Sequence, residues 1–255
     1  MMKIAKYVVW NILRSKIILA YTLFLFAVAF GTFSFESDVS KSIASLMSIV
    51  LIIIPLVSII FTTIYFYNSS EFIELLMAQP ISRKKIFFGE YLGVGTSMLC
   101  AYLIGIALPV IIYSADAVGF TLIASGACLT LVFVSLAFFA SVLTRDKAKG
   151  IGISLMIWFY FSIIYDAIVL GVMFAFSDYP LERVMVLLSS FNPIDLSRIL
   201  ILLKLDISAL MGFTGAVYKD FFGNSNGIIF SIAMQMIWIV LPLFSAFRIF
   251  RRKNW

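Results

Sequence analysis

Six long apolar stretches constrain the fold of this chain more than any other feature of its sequence. They comprise residues 17–35, 43–67, 89–113, 120–143, 151–176 and 227–247. An α-helix needs about 20 predominantly apolar residues to cross the hydrocarbon core of a bilayer, and each stretch is close to this length or longer. Because the runs are continuous and do not alternate between polar and apolar residues, they predict membrane-spanning helices instead of the strands of an outer-membrane barrel.

The charged residues predict how these spans are oriented. They make up only 13% of the chain, about half of their usual share in soluble domains, so we predict an all-α integral membrane protein. Fourteen of the 19 Lys and Arg residues lie in the amino-terminal segment, the second loop, the fourth loop and the carboxyl-terminal tail. Since cytoplasmic loops retain positive charge, both termini are predicted to face the cytoplasm.

The loop between the fifth and sixth spans, residues 177–226, is predicted to contain short helices. Residues 184–203 are apolar enough to suggest a seventh span, but the sequence FNPIDLSR interrupts them. Asn192 can cap a helix that begins at Pro193, with Asp195 in its first turn. A seventh span would also place the basic carboxyl-terminal tail outside the cell, against the charge rule. We therefore expect two or three short helices that are half-inserted at the outer face or re-entrant.

Several kinds of site are excluded by residues that the sequence lacks. It contains no histidine and no GxxxxGK[ST] motif, which excludes histidine-dependent metal and nucleophile sites and a P-loop for nucleotide phosphates. The two cysteines lie in predicted spans and the 11 methionines are scattered. Neither pattern indicates a disulfide framework or a copper site. The sequence thus predicts no catalytic residue, no metal site and no cofactor within this chain.

Two acidic residues fall inside predicted spans. Asp166, in the fifth span, is the candidate for an intramembrane polar site, since acids within spans often mark ion or proton pathways. The structural alternative is that Asp166 pairs with Tyr or Ser hydroxyls or lies near the outer end of the span. Glu90, near the start of the third span, is predicted to lie at the membrane surface close to Lys84 and Lys85.

The second loop, residues 68–88, is too amphipathic to be a passive linker. Ser69 or Ser70 can cap a short helix that carries two glutamates and buries its apolar residues, and Pro80 prevents its simple continuation. A second helix can begin at Ser82 and run into the third span. Acidic residues gain nothing from an anionic leaflet, so the acidic half favours docking to a protein, whereas the basic cluster after it can pair with lipid headgroups.

Residues 69–93, SSEFIELLMAQPISRKKIFFGEYLG, resemble the region between the second and third spans of type 2 ABC transporter permeases. In that family an acidic helix before the motif P-[IV]-S-R is the cytoplasmic coupling helix that seats in an ATPase subunit. The resemblance implies that ATP and Mg²⁺ bind the partner ATPase and not this chain. Many family members have glycine at the position of Phe72. The residues implied in docking are Ser70, Glu71, Phe72, Glu74, Leu75, Leu76, Gln79, Pro80, Ser82 and Arg83.

The same resemblance covers residues 1–255 as a single transmembrane permease domain. Residues 1–16 resemble an amphipathic elbow helix at the membrane surface, residues 68–88 form the coupling region, and residues 177–226 form the extracytoplasmic loop. The family implies a multi-pass protein of the bacterial inner membrane. Its implied partners are a cytoplasmic ABC ATPase dimer, a second copy of itself and the lipid bilayer, with no nucleic acid.

A narrower resemblance lies in the fifth loop. Residues 192–223 resemble the permeases of transporters that mature nitrous-oxide reductase. That subfamily implies a periplasmic partner of repetitive β architecture and a role in assembling the copper site of the reductase. The residues implied in contact with such a partner are Asn192, Pro193, Asp195, Arg198, Gly212 and Gly215.

Two other functions stay open at this point. One is a type 2 permease that exports a drug, a peptide or a lipid, in which the fifth loop would act as a lid. The other is an intramembrane enzyme that uses Asp166 together with outer-loop acids such as Asp195. A periplasmic protein that co-purifies with the permease would separate the maturation function from export.

Overall fold

The structure, a computed structural model, describes residues 1–36, 38–176, 182–205 and 225–252. Within these ranges the chain forms helices and turns and no strand. Six of the described helices are long and apolar enough to cross a membrane. Numbered one to six, these spans are Lys16–Phe35, Val39–Asn68, Arg83–Tyr113, Ala117–Leu143, Lys147–Ala175 and Gly227–Arg252. The six predicted spans are confirmed, and most extend a few residues beyond their apolar stretches because polar residues complete the terminal turns.

Among the described residues, four short helices accompany the spans. The amino-terminal helix is Met2–Leu13, and the acidic helix, between spans two and three, is Ser70–Met77. The first loop helix is Glu182–Ser190 and the second loop helix is Pro193–Lys204. The break between the two loop helices confirms that residues 184–203 do not form a seventh span.

Span four forms the centre of the bundle and span five its edge. In span four 67% of the apolar window is buried inside the protein, against 11% in span five. Span four packs against spans two, three and six and against the second loop helix, whereas span five packs mainly on spans two and four. Most of the surface of span five is therefore available to lipid or to another protein chain.

A pair of glycines holds the amino-terminal helix against span three. A Cβ at Gly93 would lie 2.4 Å from Cβ of Val8, and a Cβ at Gly89 would lie 2.9 Å from Cβ of Ile4. The GxxxG spacing of Gly89 and Gly93 thus permits a close approach. It brings a short helix that does not span the membrane into contact with the start of a span.

Two spans contain a single wide π turn. In span three it covers Leu103–Ala107, directly before Pro109, which cannot donate a backbone hydrogen bond. The wider turn accommodates that missing donor. In span five the π turn covers Tyr160–Ile164 and ends two residues before Asp166. π turns are often found at functional positions, and this one lies beside the polar cluster described below.

Candidate docking helix and buried polar cluster

The acidic helix begins at Ser70 without a side-chain cap. Ser69 occupies the cap position but makes no capping hydrogen bond, and the Ser70 hydroxyl donates instead to the Tyr67 carbonyl at 2.8 Å. The predicted serine cap is therefore wrong. Glu71 in the first turn provides the favourable interaction with the helix dipole that a cap would otherwise supplement.

The acidic helix has a buried side and an exposed side, and both of its glutamates are exposed. Ile73 is completely buried, whereas Leu75 is 66% exposed between the exposed side chains of Glu71 and Glu74. We call Glu71, Glu74 and Leu75 the docking face. Two carboxylates beside an exposed leucine form a small surface that can bind an apolar and basic groove on another protein.

The other residues predicted for docking either extend this surface or are half-buried where the acidic helix meets its neighbours. Gln79, Pro80 and Ser82 are exposed and extend the docking face toward span three. Ser70, Phe72, Leu76 and Arg83 are half-buried. Phe72 stacks on Tyr7 of the amino-terminal helix, with ring centroids 5.1 Å apart.

Arg83 connects the start of span three to the end of span six. Its Nη1 donates a hydrogen bond to the carbonyl oxygen of Arg251 at 2.7 Å. Arg251 lies in the last turn of span six, where backbone carbonyls lack partners within the helix. A guanidinium at this position satisfies a carbonyl and interacts favourably with the helix dipole. The second loop and the start of span three are thus linked to both terminal segments of the chain, through Phe72 and Arg83.

A second group of polar residues lies at the opposite end of the bundle, around Asn192. As predicted, Asn192 caps the second loop helix, and its Oδ1 accepts from the backbone N–H of Ile194 at 3.0 Å. Its Nδ2 donates to the carbonyl of Phe161 at 2.9 Å and to Oδ2 of Asp195 at 3.2 Å. Phe161 belongs to the π turn of span five. One buried amide therefore joins the loop helix to that turn.

Arg198 lies between two carboxylates in this cluster. Its Nη1 donates to Oδ1 of Asp195 at 2.7 Å and its Nη2 donates to Oδ2 of Asp166 at 3.0 Å. For Asp166, the alternative of a Tyr or Ser hydroxyl partner is not what the structure shows, because a guanidinium from the loop bonds its carboxylate. We call Asp166, Asn192, Asp195 and Arg198 the polar cluster.

The two acids of the polar cluster have different surroundings. Burial raises the pKa of Asp195 to about 7, although the adjacent Arg198 opposes this rise. The side chain of Asp166 is 32% exposed, yet its Oδ1 is buried and has no hydrogen-bond partner among the described residues. The described residues contain no group of three acids, cysteines or histidines that could hold a metal ion. The geometry fits an electrostatic attachment of the loop to span five.

Further hydrogen bonds fix both loop helices to the spans. Gln235 of span six donates from Nε2 to the Ser197 hydroxyl at 2.9 Å, and Trp238 donates to the Ser190 carbonyl at 3.4 Å. Tyr165 of span five donates to the Leu188 carbonyl. The loop helices are thus packed into the end of the bundle.

Comparison with known proteins decides the family. The family model described as ABC-2 family transporter protein matches residues 2–255. This chain belongs to the ABC-2 family. The predicted resemblance to ABC transporter permeases, drawn from residues 69–93, is thereby confirmed at the level of the family.

Two relatives of this ABC-2 protein carry the name "Probable ABC transporter permease protein NosY". The protein from Pseudomonas aeruginosa is 27% identical over 89% of this chain and 85% of its own length. The protein from Stutzerimonas stutzeri is 26% identical over 96% of this chain and 98% of its own length. The similarity therefore extends over nearly the whole permease and is not confined to one motif.

Four of the residues predicted to contact a periplasmic partner are described, and three of these four are buried in the bundle. Asn192 and Pro193 are buried, Asp195 is 7% exposed, and only Arg198 is half-exposed. Gly212 and Gly215 lie outside the described residues. The described members of this set therefore hold the loop in place and do not form an open surface.

The first loop helix carries an exposed apolar face that the sequence analysis missed. Val184, Leu187 and Phe191 are 44%, 60% and 53% exposed. Their spacing of three and four residues places them on one side of the helix and its end. The spacing is visible in the sequence, but the polar residues a few positions later were the stronger indication of a contact site.

Glu90 differs from its sequence prediction. The structure encloses this side chain between helices, with 2% exposure, instead of placing it at the membrane surface beside Lys84 and Lys85. Its Oε1 finds no hydrogen-bond partner in the described part of the chain. This part of span three is covered by neighbours distant in the sequence: the amino-terminal helix packs closely at Gly89, and Tyr65 of span two interacts electrostatically with Glu90.

Proposed function

We propose that this chain is the membrane-spanning permease subunit of an ATP-driven ABC transporter in the bacterial inner membrane. Two copies of the chain pair with two cytoplasmic ATPase subunits, which bind ATP and Mg²⁺. The basic ends of the spans face the cytoplasm. The observation that carries the proposal is the docking face, where Glu71, Glu74 and Leu75 are exposed on a helix anchored by a fully buried Ile73.

The mechanism is a mechanical transmission. Closure of the ATPase subunits on ATP displaces the acidic helix, and the contacts at its base pass the displacement on. Phe72 transmits it to Tyr7 of the amino-terminal helix, and Arg83 transmits it to the end of span six. Spans three and six then move relative to the rest of the bundle, as in other transitions between packed rigid elements. No covalent chemistry occurs in this subunit.

The finer function that we propose is maturation of the copper site of nitrous-oxide reductase. Two observations support it: the resemblance of residues 192–223 to permeases of such transporters, and relatives named as NosY permeases. A periplasmic accessory protein of repetitive β architecture then binds the loop end of the permease. Val184, Leu187 and Phe191 offer it an apolar surface that is fixed by the polar cluster beneath.

Export of an apolar molecule is the second candidate function. An open apolar groove of about 660 Å³ lies on span five, lined by residues that include Ile153, Met156 and Tyr160. A groove of this size accommodates a drug-sized or lipid-like molecule. In this function the loop helices close the outer end of the pathway and need no periplasmic partner.

Affinity purification from the native membrane in mild detergent, followed by mass spectrometry, tests these proposals. Recovery of a P-loop ATPase together with a periplasmic β-repeat protein is the expected result. Recovery of the ATPase alone supports export, and recovery of neither overturns the permease proposal. The variant Glu71→Lys/Glu74→Lys is expected to lose the ATPase. The matched control Glu36→Lys, which reverses an exposed charge at the other end of the bundle, is expected to retain it.

A further inference from the structure

The amino-terminal helix has one face packed against span three and another that is largely exposed. On the packed face Val8 is 0% exposed and Ile12 is 1% exposed. On the opposite side Tyr7 is 55% exposed and Trp10 is 60% exposed. Helices that leave such aromatic residues uncovered lie at the level of lipid headgroups.

The uncovered face carries a concentrated positive charge. Residues 1–35 contain Lys3, Lys6, Arg14 and Lys16 and no acidic residue. Lys3, Lys6, Tyr7 and Trp10 line a shallow cavity of about 550 Å³. The guanidinium of Arg14 lies 4.1 Å from the ring centroid of Trp10, which fixes a further cation at one side of the cavity.

The chemistry of this cavity selects a phosphate diester that is attached to an apolar tail. The two exposed ammonium groups attract an anionic phosphate, and the phenol and indole rings suit the boundary between headgroup and acyl chains. Leu13 and Ile17 continue the uncovered face with exposed apolar side chains. Free inorganic phosphate makes no use of these apolar groups, so the arrangement favours a lipid.

We propose that the amino-terminal helix binds the headgroup of an anionic phospholipid in the cavity formed by Lys3, Lys6, Tyr7 and Trp10. Because Tyr7 also stacks on Phe72, an occupied cavity restricts the ring that supports the acidic helix. The lipid therefore influences the orientation of the docking face. Binding of the lipid is independent of the proposed function, whereas this second step rests on it.

Lipid selectivity of the purified full-length chain tests the binding step. Native mass spectrometry would compare phosphatidylglycerol with phosphatidylcholine on the unmodified protein and on Lys3→Gln/Lys6→Gln. We expect the preference for phosphatidylglycerol to fall by about fivefold per lysine removed. The control Lys41→Gln/Lys204→Gln removes two exposed lysines elsewhere and should change the preference less than about twofold.

Two results would overturn the binding step. One is an unchanged preference in Lys3→Gln/Lys6→Gln. The other is loss of bound phosphatidylglycerol when excess inorganic phosphate is added, since this would assign the cavity to a free anion. Neither result depends on an ATPase, so failure here is distinct from failure of the proposed function.

The transmission step requires the complex with the ATPase. Its ATPase rate in lipid nanodiscs is expected to depend on the fraction of phosphatidylglycerol. In Tyr7→Leu this dependence should be lost, while Tyr7→Phe, which keeps the ring, should retain it. A dependence of equal size in Tyr7→Leu and the unmodified complex would overturn the transmission step but leave lipid binding intact.

Discussion

The two ends of the bundle use charged residues in opposite ways. At the basic end the charges of the docking face and of the amino-terminal helix are exposed, and their supporting contacts are apolar or aromatic. At the loop end, Asp195 and Asn192 are buried and Asp166 and Arg198 are each about one-third exposed. Exposed charges recognise partners at little cost in stability, whereas enclosed charges require partners within the protein.

This difference assigns distinct tasks to the two ends. At the basic end another protein can bind and displace the acidic helix, because Ile73 is the one fully buried residue of that helix. The loop end holds its helices through directional bonds to spans five and six. A displacement of the acidic helix would therefore reach helices at the loop end whose relative positions are fixed by hydrogen bonds.

The largest expected effect is a difference in stability between substitutions at two positions of the acidic helix. Ile73→Ala removes a fully buried side chain and should lower the free energy of unfolding by about 2–4 kcal/mol. Leu75→Ala, two residues away, changes a side chain that is 66% exposed and should alter it by less than about 0.5 kcal/mol. Denaturation of the purified permease measures both values. Equal losses would contradict the division of this helix into an anchoring face and a docking face.

Arg198→Met is expected to have the next largest effect. It leaves Asp166 and Asp195 without their shared cation, but the partly exposed Asp166 can recruit water, so we expect a loss of about 2–3 kcal/mol. The triple variant Asp166→Asn/Asp195→Asn/Arg198→Met removes the uncompensated charges and should recover much of the loss. Lys204→Met serves as the control for removing an exposed cation from the same helix. No recovery in the triple variant would indicate that packing of Arg198, and not its charge, holds the loop.

The polar cluster also predicts a pH dependence. Burial raises the pKa of Asp195 to about 7, well above its ordinary value of about 4, so the folded cluster binds a proton more tightly than the unfolded chain. The stability that this proton contributes is fully present below about pH 4 and is lost as the pH rises through about 7. Arg198 and Asp166 are the charged groups that face Asp195.

Hydrogen exchange of the second loop helix measures this dependence. After correction for intrinsic exchange, protection of residues 193–204 should fall between about pH 4 and pH 7, by at most about tenfold per pH unit, and level off at higher pH. Asp195→Asn keeps the shape of the side chain and should abolish the slope. A slope of the same size in that variant would assign the titration to another group.

The sequence was informative where the determinants are local. Continuous apolar runs predicted the six spans, and the Asn192–Pro193 pair predicted the start of the second loop helix, because caps and hydrophobic periodicity depend on nearby residues. The partner of Asp166 could not be predicted, since Arg198 lies 32 residues further on and on a different helix. Burial of Glu90 was missed for the same reason, because the helix that covers it begins at Met2.

Glu90→Gln is expected to have the smallest effect on stability. Glu90 is an exception to the difference between the two ends of the bundle. It is the acid of the basic end that the structure buries, with 2% exposure and an Oε1 that lacks a partner among the described residues. Glu90→Gln keeps its volume and removes the acidic group, so we expect the free energy of unfolding to stay within about 1 kcal/mol of the original or to rise. Glu90→Ala leaves a cavity beside the amino-terminal helix and should lower it by more. If Glu90→Gln were as damaging as Glu90→Ala, the carboxyl group itself would be required, and the basic end would depend on an enclosed charge in the same way as the loop end.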